Sequence, residues 1–162
     1  MVVYYLTIGA PRAGKSTYVS QLVCQKVSPD KIRDELGVTI QESYNIALMQ
    51  IEKTLKKGED VLLDATNQTE KKRRNMIAVG KPYASRIIGI WLNTPAELCI
   101  ERHFQRMASG ETSERYTKEN QEPFEDIIRR YCEILEKEPP TLDEGFDEII
   151  IIAPDSVKTI TH

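Results

Sequence analysis

The stretch Gly9-Ala10-Pro11-Arg12-Ala13-Gly14-Lys15-Ser16 follows the apolar run Val2-Val3-Tyr4-Tyr5-Leu6-Thr7-Ile8 and precedes a helical pattern that opens at Thr17. It has the form Gly-x-x-x-x-Gly-Lys-Ser. A phosphate-binding loop needs a buried strand to hold its start and a helix N-terminus to close it, and both flanks are present. In such a loop the backbone N–H groups, the helix dipole and the lysine ammonium converge on the β- and γ-phosphates of a nucleotide. Gly9, Gly14, Lys15, Ser16 and Thr17 are therefore candidate binders of a nucleoside triphosphate, ATP or GTP. The Ser16 hydroxyl is the candidate ligand of the Mg²⁺ that accompanies the phosphates.

Outward from the loop, strand and helix patterns alternate, which predicts a parallel sheet with covering helices. Val2–Ile8 reads as a strand, Thr17–Lys26 as a helix with Val19, Leu22 and Val23 on one face, and Asp30–Leu36 as a short helix ended by Gly37. Gln41–Lys57 carries Tyr44, Ala47, Leu48, Ile51 and Leu55 at helical spacing. A short buried strand is expected in Asp60–Asp64, a helix over Glu70–Ala84, and a strand over Arg86–Leu92. Thr94, Pro95 and Glu97 read as a capped helix start running to Ala108, and Ser109–Lys118 is polar and weakly patterned. Pro123–Lys137 is amphipathic, and Ile149–Ile152 reads as the last strand.

A chain of 162 residues suffices for one domain with a core and not for two. The net charge of −3 leaves no global basic footprint of the kind a nucleic-acid coat carries, yet permits local phosphate contacts. Cys24, Cys99 and Cys132 form no Cys-x-x-Cys pair and read as reduced thiols in helices. No apolar run is long enough to cross a bilayer, and the apolar N-terminal stretch lacks a basic leader, so the expected location is cytoplasmic.

Three further patterns suit phosphoryl transfer. In Asp30-Lys31-Ile32-Arg33 a carboxylate and a guanidinium stand at neighbouring helical positions, one able to accept a proton and the other to hold a phosphate on the same acceptor. The plainer alternative is a helix cap with a solvated arginine. In Asp64-Ala65-Thr66-Asn67 a carboxylate ends a parallel strand, beside the crevice where ligands bind; a simple Asx turn is the alternative. Arg102 and Arg106 share one helix face and lead into the polar stretch, as a lid closing over a triphosphate requires, or as a basic face near a helix C-terminus would. Lys71-Lys72-Arg73-Arg74 is a basic run of the kind that mostly forms solvated helix surface, with nucleic-acid contact as the alternative.

Together these elements resemble the 5′-kinase module of the polynucleotide kinase family, from the opening strand to the helix after the lid. The resemblance is carried by Thr7-Ile8-Gly9 into Gly14-Lys15-Ser16-Thr17, by Asp30-x-x-Arg33, by Asp64-x-Thr66-Asn67, and by Arg102-x-x-x-Arg106. It implies an α/β P-loop kinase fold, a small parallel sheet with helices on both faces, in a single domain over residues 1–162 with a lid near 102–118. It also implies ATP and Mg²⁺ as cofactors and a 5′-OH DNA or RNA end as acceptor. Lys15, Asp30, Arg33, Asp64 and Arg106 would be the catalytic set. Asp30 would act as general base, Arg33 would hold the neighbouring acceptor phosphate, and Asp64 would support either that arginine or the metal. Thr66 and Asn67 would meet the acceptor, and Arg102 and Arg106 would reach ATP. Arg12 departs from the family, where a small residue is usual. Gln121–Phe124 and Pro139-Pro140-Thr141 look like small P-loop kinases more broadly. No Asp-x-Asp-Gly-Thr sequence marks a phosphatase module. Two alternatives stand beside this reading: a kinase for a nucleoside, a metabolite or a hydroxymethylated base in DNA, and a nucleotide-dependent switch that transfers nothing.

Overall fold

The computed structural model describes residues 1–110 and 122–162. The elements are β1 (Val3–Ile8), α1 (Lys15–Val19), β2 (Gln25–Val27), α2 (Pro29–Leu36), α3 (Ile40–Lys56), β3 (Val61–Leu63), α4 (Glu70–Gly80), β4 (Arg86–Leu92), α5 (Ala96–Ala108), α6 (Phe124–Lys137), a 3₁₀ turn (Leu142–Glu144), β5 (Glu148–Ala153) and β6 (Ser156–Thr161). The six strands lie in the order β2-β3-β1-β4-β5-β6. The first five are parallel and β6 returns antiparallel on β5.

The period of two along each central strand divides the side chains between two cores. Tyr4, Leu6 and Ile8 of β1, with Val61 and Leu63 of β3, pack on one face against Ile32, Ala47, Ile51, Leu55, Met76 and Ile77 from α2, α3 and α4. Leu62 of β3, with Ile88, Ile90 and Leu92 of β4, packs on the other against Val19, Cys99, Ile100, Ile127 and Ile128 from α1, α5 and α6. Full burial of each Val, Leu, Ile or Met side chain among them contributes roughly 1.5–3 kcal/mol. Gly89 interrupts β4 because Phe146 fills its place: a Cβ there would come within 3.0–3.2 Å of the ring.

The helix that opens at the loop is shorter than its apolar spacing predicts. α1 ends at Val19, Val23 is fully exposed, and the chain runs on into the edge strand β2, so Cys24 lies outside any helix. The predicted cap at Thr94 is also replaced. α5 begins at Ala96 behind Pro95 with no side-chain cap, and the Thr94 hydroxyl donates instead to the Ala13 carbonyl at 2.8 Å. β6, all of it exposed, was not expected from the sequence.

One charge of the basic run lies in the interior. Arg73 is wholly buried, with its guanidinium 2.6 and 2.8 Å from the Glu144 carboxylate. Its remaining N–H groups donate to the carbonyls of Asn67, Gln68 and Glu138. Arg74, by contrast, pairs with Glu70 at the surface. Removing one partner of a buried, fully hydrogen-bonded pair strands the other in the core. Arg73→Ala should therefore cost about 3–5 kcal/mol in urea unfolding. Arg74→Ala should cost about 0–1 kcal/mol. Equal effects of the two would contradict the brace.

Candidate active site

The carboxyl ends of β1, β2, β3 and β4 form one rim. Consecutive crossovers place β3 on one side of β1 and β4 on the other, which opens a crevice at the end of β1. Residues 9–14 fill it. Gly14 holds φ 103° as the N-cap of α1, a left-handed conformation suited to glycine. Arg12 also takes a positive φ, 66°, and lays its guanidinium 5.9 Å from the Phe124 ring centroid. The Gly9 N–H donates to the Thr66 carbonyl at 2.9 Å.

Lys15 turns back into this loop, its ammonium 3.0 Å from the Gly9 carbonyl and 2.6 Å from that of Ala10. Burial pushes its pKa from 10.5 down to about 8, while the charges of Asp64 and Asp30 oppose the fall. Asp64, at the end of β3, is raised by burial and held down chiefly by Lys15, with Asp30 raising it further. Lys15, Asp30 and Asp64 thus lie within one another's electrostatic reach, although 49 residues separate the first from the last in sequence. Beside the two partners expected for Asp64, Arg33 and a metal ion, the charge that most lowers its pKa is that of Lys15. The Ser16 hydroxyl is exposed at the first turn of α1. Hydroxyl and carboxylate oxygens are the donors Mg²⁺ prefers when it arrives with phosphates and keeps several waters. Ser16 and Asp64 therefore fit such an ion.

Asp30 stands in the first turn of α2, where the helix dipole favours a carboxylate. Ser28 caps that helix and Pro29 opens it, so Asp30 itself is not the cap. Arg33 approaches Asp30 at 4.0 Å; its side chain is 19% exposed against 67% for Asp30. The arginine is therefore largely buried while the carboxylate is exposed. Thr66 bonds to the Gln68 side chain. Asn67, expected at the acceptor, is turned elsewhere. It is wholly buried with φ 45°, and its amide donates to the Thr7 carbonyl at 2.8 Å, so its side chain ties strand to loop.

On the opposite side a cavity of about 500 Å³ opens between the loop, α5 and the end of β5. Arg102 reaches over the loop toward the Arg12 carbonyl, 3.5 Å away, close above Gly14. Arg106 lines the same cavity from the exposed end of α5. The predicted lid is described only as far as residue 110, and its remainder lies outside the described residues. His103 packs on Phe124, ring centroids 4.3 Å apart. Thr7, Thr94 and Arg73 carry structural roles that their local sequence does not announce. Thr7 accepts from the Ala65 N–H and donates to the Ala65 carbonyl.

The family described as AAA domain, AAA_33, matches residues 5–131. The chain belongs to that family. Its fold is the α/β P-loop fold, kinase-like in the arrangement of loop, sheet and helices. No curated protein matches it at a significant level. Among solved structures it is similar to a chain of the Pnkp1/Rnl/Hen1 RNA repair complex, at 19% identity and TM-score 0.67. That match covers 83% of this chain and 44% of the other, so this chain spans less than half the length of that relative. It is also similar to a chain of the PezAT toxin–antitoxin system of Streptococcus pneumoniae, at 17% identity and TM-score 0.68, covering 97% and 70%. A gluconokinase from Sinorhizobium meliloti matches at 11% identity and TM-score 0.56, covering 94% and 83%.

The depressed lysine makes nucleotide binding proton-linked. With the site empty, Lys15 loses its proton as pH rises through about 8. Phosphate oxygens favour the ammonium and raise its pKa, so binding takes up protons, and affinity weakens as pH climbs above that value. Calorimetric titration with a nucleoside triphosphate at about pH 8.5, in two buffers of different ionisation enthalpy, should show proton uptake. In Lys15→Met the uptake should vanish. Tight binding by the native protein without uptake would contradict the assignment.

Proposed function

We propose that this protein transfers the γ-phosphate of ATP to the 5′-hydroxyl of a DNA or RNA strand. The observation that carries the reading is that Asp30 and Asp64 both lie within electrostatic reach of Lys15 at the phosphate loop, with Arg33 beside Asp30. The triphosphate lies along the loop, with its nucleoside toward the cavity under Arg102 and Arg106. Mg²⁺ bound by the phosphates, with Ser16 and Asp64 as its protein donors, would neutralise their charge. Lys15 holds the β- and γ-phosphates. Asp30 orients the acceptor hydroxyl and takes its proton as the acceptor oxygen bonds to the γ-phosphorus. The bond from that phosphorus to the β–γ bridging oxygen breaks, and ADP leaves with the electron pair. Arg33 holds the phosphate adjoining the acceptor hydroxyl by its two parallel N–H groups. Arg106 meets the charge on the transferring group.

The Asp-x-x-Arg and Asp-x-Thr-Asn resemblance supports the polynucleotide acceptor, as does the likeness to a chain of an RNA repair complex. A small-alcohol acceptor is the second reading, favoured by the gluconokinase likeness over 94% of the chain. The two differ at Arg33, which a phosphate-free acceptor leaves without work.

Asp30→Asn keeps the shape of the side chain and removes the proton acceptor. It should leave ATP affinity unchanged and lower kcat by about 10²–10⁴. Arg106→Ala should lower kcat by about 10³–10⁵, and a change in nucleotide affinity alone would make Arg106 a binding residue only. Arg33→Ala should raise KM for a 5′-OH oligonucleotide and hardly affect a nucleoside. Wild-type kcat in Asp30→Asn would remove the general base. An equal effect of Arg33→Ala on both acceptors would move the small-alcohol reading ahead.

A further inference from the structure

The basic run at the start of α4 divides into four different environments. Lys71 is exposed, Arg73 is the buried brace, and Arg74 pairs with Glu70. Lys72 is half-buried, and its ammonium lies 4.5 Å over the ring of Tyr44 on α3. No carboxylate among the described residues forms an ion pair with it. Burial pushes its pKa down, and Tyr131 of α6 and Asp30 of α2 push it back up, so both groups face its charge. Tyr44 in turn feels Asp30 and Arg33. Lys72 of α4, Tyr44 of α3, and Arg33 and Asp30 of α2 therefore stand on three neighbouring helices, α3 packing against both of the others.

A half-desolvated ammonium resting on an aromatic face keeps its charge while losing water. That arrangement costs free energy in the empty protein, and an incoming anion relieves the cost. Arg33 already offers a planar fork to one phosphate, whereas a lysine is a point charge that tolerates a phosphate at variable angle. Two cations on separate helices, facing one carboxylate, match an acceptor that carries more than one phosphate.

We propose that Lys72 is a specificity residue of the acceptor site, holding the acceptor phosphate next along the strand from the one at Arg33. The site then reads a short run of nucleotides rather than a single one. This rests on the polynucleotide reading above and adds length to it.

The test compares Lys72→Met, which keeps the aliphatic stem against Tyr44, with Lys72→Arg, which keeps the charge. The acceptors are a nucleoside 3′-monophosphate and a 5′-OH hexanucleotide. Lys72→Met should raise KM for the hexanucleotide about tenfold with kcat unchanged, the loss of one phosphate contact. It should leave the monophosphate unaffected and flatten the salt dependence of hexanucleotide KM by about 0.7 in the log–log slope. Lys72→Arg should restore most of both. Should Lys72→Met fail to fold, Lys72→Gln takes its place with the same readouts. A native hexanucleotide KM and salt slope in the folded variant would overturn the proposal alone, and so would an equal rise in KM for both acceptors. Native protein that phosphorylates neither acceptor would overturn the polynucleotide reading, and this inference with it.

Discussion

Everything at the site depends on a cluster of buried hydrogen bonds at the end of β1. The Asn67 amide donates to the Thr7 carbonyl, the Thr7 hydroxyl bridges the backbone of Ala65, and the Gly9 N–H donates to the Thr66 carbonyl. These bonds fasten the loop of β1 to the loop of β3. Each contributes only about 0.5–1.5 kcal/mol, but a buried group left without its partner costs more, so the loops are held in register. Arg73 braces the β3 loop from behind through the carbonyls of Asn67 and Gln68, and Thr94 braces residue 13 of the phosphate loop from the side of α5. Lys15 and Asp64 thus come within electrostatic reach because backbone places them.

The same constraint divides the crevice. Toward α5 lies the cavity under Arg102, open enough for a nucleoside. Toward α2 and α3 lie Asp30, Arg33 and the Tyr44 ring. Lys15 stands between, donating to its own loop carbonyls until phosphates replace them. Phosphoryl transfer asks for positioning and fixed charge more than for covalent chemistry, and a rim of this kind supplies both. Asp30 and the arginine beside it differ in exposure, the carboxylate being the more accessible of the two.

Local pattern made the centre of the fold legible and its edges obscure. The apolar run into Gly9–Ser16 identified β1 and its loop, because a central parallel strand is buried on both faces. The spacing of Ala47, Ile51 and Leu55 identified α3, where Thr39 and Glu42 form a capping box at the true start. β2 escaped because it has three residues at an edge and only Val27 is buried. β6 escaped because it is exposed throughout. Arg73 was hidden within a run of four basic residues: its partner Glu144 stands 71 positions away, and nothing local marks which charge turns inward. Asn67 reads from the sequence as an acceptor-binding candidate or as part of an Asx turn, and its buried amide ties the loop to the Thr7 carbonyl. Thr94 read as a helix cap, and the nearby Ala13 carbonyl claimed its hydroxyl. In each of these cases a long-range contact outweighed a local rule.

The central claim is transfer of the ATP γ-phosphate to a nucleic-acid 5′-hydroxyl. Its most direct measurement is label transfer from γ-labelled ATP with Mg²⁺ into a mixture held at equal concentration. The mixture contains a 5′-OH oligonucleotide, the same strand already 5′-phosphorylated, a nucleoside, gluconate and hydroxymethylated duplex DNA, with the products separated by size and charge. The account predicts label at the 5′ end of the 5′-OH strand and none at the blocked strand. Label in a small alcohol or a modified base, or released only as free phosphate, would contradict it.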